Sequence, residues 1–234
     1  MNDTSHPILN RLRKATGTLK LGRAFISLVR NPRDLDKVFS LSDALDKDEE
    51  IMGPIRDAFA SSQHGAEGLQ TQHRLQIDIE TLARLPEGTL GRAFAEFVCH
   101  EGIDPDELFR DRPVTNRDEW ILEHLFETHD VWHVVTGFGT DVAGELGLQA
   151  FYLSQFPARL GMLLLAGGLL NTFIFEFDDR RPRLEEITKG WAVGAATKSI
   201  LGVDWNRYWT RDLDDVRAEF GIIPAPRAQV RIAA

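Results

Sequence analysis

The chain is predicted to fold as an all-α, single-domain bundle of many helices, and three observations carry that expectation. Apolar residues recur at helical spacing along most of the 234 residues, and no segment alternates in the strand manner for long. Several of these stretches open on a capping residue and close on glycine. The length suits one sizeable core, and 43% hydrophobic with 27% charged residues is an ordinary globular mix. One domain is therefore expected over residues 1–234, with a frayed tail at 224–234.

Taken in order, Leu9, Leu12, Leu19 and Ile26 mark a first helix that Asn31-Pro32 ends. This stretch, 1–30, holds six basic residues against Asp3, a pattern open to an interfacial or dimer helix but weighted towards packing on the body. Leu35, Val38, Phe39 and Leu45 suggest a second helix, and Ile51 to Phe59 a third, before Ser61 to Ala66 reads as an exposed loop. Leu85-Pro86-Glu87-Gly88 is turn chemistry, after which Thr89 can cap a helix carrying Leu90, Phe94, Phe97 and Val98. Gly102 ends it, and Asp104-Pro105 starts the next piece.

Asn116 with Asp118 and Glu119 behind it opens a helix expected to run to about Thr136. Gly137 and Gly139 close it, and Thr140 is the expected cap of its successor. Leu160 to Leu170 is the most apolar stretch, well short of the roughly 20 residues that span a bilayer. It reads as a buried helix that can also wall an apolar ligand. Pro182 separates it from a helix with Ile187, Trp191 and Ala195, and Leu213, Val216 and Phe220 form the last amphipathic turns. Trp191, Trp205 and Trp209 read as core, and Arg180, Arg181 and Arg183 as a solvated loop.

The net charge of −9 argues against a nucleic-acid partner, because phosphate affinity needs a basic footprint. Cys99 is the single cysteine, so no internal disulfide framework exists and a reducing compartment fits. The first apolar residues are interrupted by Arg11, Arg13 and Lys14, unlike a secretory signal.

The chemistry concentrates at His129-Asp130-Val131-Trp132-His133. Four residues along a helix is one turn plus about 40°, so both imidazoles project from one face. Leu122, Leu125 and Phe126 share that face, so the histidines are expected to point inward, where they need polar partners. Asp130 can share a metal with His133 or orient it from behind. A fourth ligand must come from elsewhere: Glu145, if the next helix folds back after Thr136 to Thr140, or Asp141 in another register. Leu148 and Tyr152 would share Glu145's face, and Trp132 should face away and pack. The fold class thus includes a metal site between two consecutive helices. Two imidazoles with two carboxylates favour zinc; one carboxylate with open positions would suit iron or manganese. His73, His100 and His124 show no ligand spacing and read as surface or core residues.

These residues resemble the coenzyme Q biosynthesis protein 4 family, whose hallmark of HDxxH, eleven residues and Glu matches His129 to Glu145 without a gap. Residues 31–45 (NPRDLDKVFSLSDAL) resemble its early helix, Leu85 to Phe97 its LPxGTxG segment, and Gly190-Trp191 through Ile222 its closing GW…W…L…LG pattern. The resemblance implies an all-α homodimer, cytoplasmic and peripheral on the inner face of the membrane, with other ubiquinone-biosynthesis proteins as partners. It implies His129, Asp130, His133 and Glu145 as ligands of a divalent ion, zinc first, with iron, manganese, cobalt or magnesium as alternatives. It also implies a lyase reaction on a polyprenylated aromatic substrate, removal of the carboxyl group of a 4-hydroxybenzoate, simply or with oxidation of the ring carbon. Asp130 or Glu145 would relay the proton. Leu163, Leu164, Gly167, Gly168 and Phe173 would hold the prenyl tail. A non-catalytic lipid-binding scaffold and a prenyl-phosphate hydrolase are the alternatives.

Overall fold

The computed structural model describes residues 24–31, 49–108 and 113–224. The expected second helix at Leu35 to Leu45, most of the first and nearly all of the tail lie outside these residues. Among the described residues helices account for all regular structure, apart from one isolated bridge between Thr89 and Asp212. Residues 24–30 form α1. Then come α2 (Glu49–Ser61), α3 (Gln63–Thr71), α4 (Ile79–Leu82) and α5 (Leu90–Glu101). They are followed by α6 (Arg117–Glu127), α7 (His129–Thr136), α8 (Val142–Gln155), α9 (Arg159–Ile174), α10 (Arg180–Ala196) and α11 (Leu213–Phe220).

The exposed loop expected at Ser61 to Ala66 is instead the start of α3. Ser62 caps it by accepting from the Gly65 amide at 3.0 Å. Gly65 and Gly68 serve close approach there: a Cβ would strike the Phe59 carbonyl at the first and the Trp120 indole at the second. Turn-type residues were thus used for packing, which local sequence does not distinguish. Residues 73–78 then run without helix, and side chains hold their backbone. Trp120 donates to the His73 carbonyl (2.8 Å), the Leu75 amide donates to Glu127 (3.1 Å), and Asn206 bonds both the Arg74 carbonyl and the Gln76 amide (3.0 and 2.7 Å).

The LPEGTLG segment behaves as expected, and its setting explains why. Thr89 caps α5, Gly88 adopts φ +88°, and the first amides of α5 find carbonyls on a distant segment. Leu90 donates to Arg211 and Gly91 to Trp209, both at 2.9 Å.

The single helix expected from Asn116 to Thr136 is broken at Thr128. Its hydroxyl donates back to the His124 carbonyl at 2.7 Å, competing with the backbone amide for that acceptor. The buried residues of α6 are Trp120, Ile121, Glu123, His124 and Glu127. Leu122 and Leu125, on the histidine side, are partly buried and pack against the core.

Besides α7, helix α8 packs on two neighbours. One stripe, Leu146 and Ala150, meets Leu165 of α9 in a small apolar cluster. Against α10 the backbones nearly touch, since a Cβ on Gly190 would run into the Gly147 carbonyl and one on Gly194 into Ser154. Pro182 lies in the first turn of α10, where its missing amide costs nothing, and Phe175 to Asp179 make the break from α9. Trp205 and Trp209 are core residues, whereas Trp191 is exposed because α10 turns Gly190 and Gly194 inward. Arg183, expected in a solvated loop, is buried: it donates to Asn171 Oδ1 (2.7 Å) and Thr172 Oγ1 (3.0 Å) and pairs with Asp179.

Candidate metal centre

Helix α7 begins at His129, so both histidines sit within its first two turns. Its far end is held from outside: Arg217 of α11 donates to the Val134 and Val135 carbonyls at 3.0 and 2.9 Å. Gly137, at φ +80°, ends the helix and lets the chain turn back. Asp141, not Thr140, caps α8 by accepting from Gly144 at 2.7 Å, which commits the alternative ligand to a structural bond. Thr140 instead donates to Glu101, tying the connection to the end of α5.

This turn brings Glu145 onto the histidines. The two Nε2 atoms lie 3.2 Å apart, His133 Nε2 is 3.2 Å from Glu145 Oε1, and His129 Nε2 is 3.8 Å from Glu145 Oε2. Asp130 also belongs to the cluster: one ligand atom each from His129, Asp130 and His133 lie within 4.8 Å of one another. Tetrahedral zinc with bonds of 2.0–2.1 Å has ligand atoms roughly 3.3–3.4 Å apart. The spacing of the two histidines and Glu145 fits such an ion, and an Asp130 oxygen lies within 4.8 Å of the histidine ligand atoms.

The ring nitrogens turned away from the cluster are also engaged. His133 Nδ1 is 3.1 Å from the Phe138 carbonyl and His129 Nδ1 is 3.2 Å from the Tyr152 hydroxyl. Such outer partners orient imidazole ligands in metal sites. Phe97 stacks on His133, with ring centroids 5.8 Å apart. Trp132 faces away as expected and packs on Phe151 and Tyr152.

Burial has the largest influence on each titrating group. It holds His129 below the ordinary histidine value, helped by the nearby His133 and opposed by Glu145 and Asp130. At His133 burial also pulls down, but the Glu145 charge, its hydrogen bond and the Phe138 carbonyl outweigh it and raise the net value. Burial pushes Glu145 up, and the charge and hydrogen bond of His133 bring it below the usual carboxylate range. The Glu145 side chain keeps 38% of its exposure, so solvent has access to one side of the cluster. A divalent ion entering there would displace the proton from His133.

The Phe138 carbonyl, the Phe97 ring and Glu101, whose carboxylate feels the field of His133, complete the surroundings. Phe97 is legible only as an apolar face residue, and nothing in the sequence ties these groups to the histidines, because a backbone carbonyl has no sequence signature and α5 meets α7 only in the tertiary fold.

The proposed tail-binding residues divide. Leu163 and Leu164 are half-buried, and Phe173 is 73% exposed. Gly167 and Gly168 are buried, and protein side chains take the space they leave: Phe25 and Leu28 of α1 at the first, Leu146 at the second. The exposed apolar surface continues through Leu169, Leu170, Ile174, Phe175 and Trp191. No helix among the described residues is long and apolar enough to cross a membrane. Of the other histidines, His100 is exposed, and His73 and His124 belong to a separate core cluster with their rings 5.4 Å apart.

Comparison with known proteins bears on this arrangement. A sequence model described as Coenzyme Q (ubiquinone) biosynthesis protein Coq4 matches residues 5–226. A protein of Talaromyces stipitatus named ubiquinone biosynthesis protein coq4, mitochondrial, is 34% identical over 230 residues, covering 94% of this chain and 76% of its own. Its namesake in Talaromyces marneffei is 32% identical, covering 96% and 77%. Among solved structures, a candidate ubiquinone biosynthesis protein from Nostoc punctiforme superposes with a TM-score of 0.76 at 27% identity, over 89% of this chain and 97% of that one.

Proposed function

Because the chain belongs to the coenzyme Q (ubiquinone) biosynthesis protein Coq4 family, we propose that it acts in ubiquinone biosynthesis as a metal-dependent decarboxylase of a polyprenylated 4-hydroxybenzoate. The observation that carries this reading is the convergence of His129, His133 and Glu145 at ligand-edge distances, with both outer ring nitrogens engaged. These three residues would hold a divalent ion, zinc by donor chemistry, with Asp130 at its side.

The ion would supply electrostatic stabilisation of the negative charge that develops on the substrate. The remaining work falls to side chains. Asp130, a carboxylate of the same cluster, delivers a proton to the carboxyl-bearing ring carbon. The bond to the carboxylate breaks, its electron pair stays on the ring carbon and takes that proton, and carbon dioxide leaves. One proton is consumed and no oxidant is needed. Glu145 holds the histidine pair, and the packed rings of Phe97, Trp132 and Tyr152 keep water from the inner side.

The apolar face of α9 and α10 supports the lipid part of the reading. On α8, Glu145 faces the metal cluster while Leu146 faces α9, about 100° away around the same helix. Phe173, Ile174, Leu170 and Trp191 would rest against the inner membrane face, where a polyprenyl tail is soluble. The same exposure favours a second reading, a scaffold that presents polyprenyl intermediates without catalysis.

The test is carbon dioxide release from a prenylated 4-hydroxybenzoate by purified, metal-analysed protein, with and without dioxygen. Release without dioxygen, lost in His133→Ala, is expected. Stoichiometric metal without release supports the scaffold. Release only in dioxygen would replace simple loss of the carboxyl group by its oxidative form. Normal turnover by His133→Ala would overturn the catalytic assignment.

A further inference from the structure

The two candidate histidine ligands are oriented by chemically different partners. His133 faces a backbone carbonyl, which only accepts, so in its neutral, metal-binding form Nδ1 must carry the proton and Nε2 presents a lone pair. His129 faces the hydroxyl of Tyr152, which can donate or accept. If that hydroxyl donates, the neutral His129 carries its proton on Nε2, pointing into the cluster where an ion would sit. If it accepts, Nδ1 holds the proton and Nε2 is free to bind.

The hydroxyl is held in place by its ring. Tyr152 packs on Trp132 with centroids 4.4 Å apart and on Phe156 at 5.7 Å, and Trp132 is fully buried. Tyr152 lies two turns beyond Glu145 on α8, so one rigid helix carries both a ligand carboxylate and the partner of a ligand imidazole. Any shift of α8 would move the two together.

We propose that Tyr152 is a positioning residue of the metal centre, its phenolic oxygen accepting from His129 Nδ1 and so fixing the tautomer in which His129 Nε2 binds the ion. The proposal rests on the metal-site reading above. It assigns the hydroxyl a task beyond satisfying a buried polar group, because the aromatic packing alone would be served equally by phenylalanine.

The experiment compares wild type with Tyr152→Phe, which keeps the ring and removes the hydroxyl. Zinc affinity is measured by competition with a chromophoric chelator, and the visible absorption of the cobalt(II)-substituted protein reports ligand geometry. Tyr152→Phe should bind zinc about 10- to 100-fold more weakly and show an altered cobalt spectrum. Unfolding of the two metal-free proteins should remain similar. In a His129→Ala background the same change should alter affinity by less than about twofold, since the hydroxyl would act through His129. Equal zinc affinity of wild type and Tyr152→Phe would overturn the proposal, as would an undiminished effect in the His129→Ala background. A wild type that binds neither zinc nor cobalt overturns the metal reading itself, and is thereby distinguished from a failure of Tyr152 alone.

Discussion

Replacing His124 with phenylalanine should make the protein more resistant to acid. His124 is 1% exposed, stacked on Trp120 at 4.8 Å and edge-on to Phe59, and neither ring nitrogen has a hydrogen-bond partner. Burial, with a smaller contribution from the nearby His73, pushes its pKa down to about 3. In the unfolded chain a histidine titrates near 6.5. Between those values the unfolded state takes up a proton that the folded state refuses, so stability falls as the pH drops. The contribution is intact above the unfolded value and is lost progressively as the pH approaches the folded one. From pH 7 to pH 5 this single group should remove about 2 kcal/mol of stability. Phenylalanine removes the titration, and any packing cost of its larger ring is the same at both pH values. Denaturant unfolding of wild type and His124→Phe at the two pH values isolates the effect. The gap in unfolding free energy should shift in favour of the variant by about 2 kcal/mol on acidification. An unchanged gap would mean that His124 can be protonated in the folded protein, and would refute the burial argument.

Other expectations follow from close packing and from the candidate centre. Gly190→Ala forces a Cβ onto the Gly147 carbonyl and should cost at least about 1–3 kcal/mol in denaturant unfolding, whereas Gly53→Ala, with only side-chain ends 3.6 Å or more away, should be neutral or stabilising. Asn171→Leu removes one of the acceptors of the buried Arg183 and the donor to the Val29 carbonyl, and should lower stability by about 2–3 kcal/mol in the same measurement. Glu145→Gln should reduce bound metal in elemental analysis while the helical circular dichroism persists. Acidification below the histidine range should release the ion, because His133 must lose its proton to bind it.

Much of the site was legible before the fold. The four-residue spacing of His129 and His133 fixes their common face in any helix, and Gly137 supplies the positive φ that a reversal needs. Thr89, Asn116 and Gly102 likewise mark helix ends through local chemistry. What could not be read is where one element meets another. Ser62 and Gly65 resemble a loop until the Phe59 carbonyl shows why small residues stand there. The stripe through Leu122, Leu125 and Phe126 reads as the buried face, yet the most deeply buried side chains of α6 are Trp120, Ile121 and His124, whose neighbours Phe59 and His73 are distant in sequence. Gly167 and Gly168 suggested room for a prenyl chain, yet Leu28 and Leu146 take that space, and neither is near them in sequence.

By itself, then, the sequence determined the helical class, the caps and the face shared by the two imidazoles, since each depends on residues within a turn or two. The tertiary structure decided that Glu145 rather than Asp141 reaches the histidines, because capping uses up one carboxylate and the fold-back delivers the other. It also decided which groups stand behind the two imidazoles. The Phe138 carbonyl and the Tyr152 hydroxyl hold the rings only because α7 and α8 close on each other, and hydrogen bonds acting over about 3 Å depend on that register.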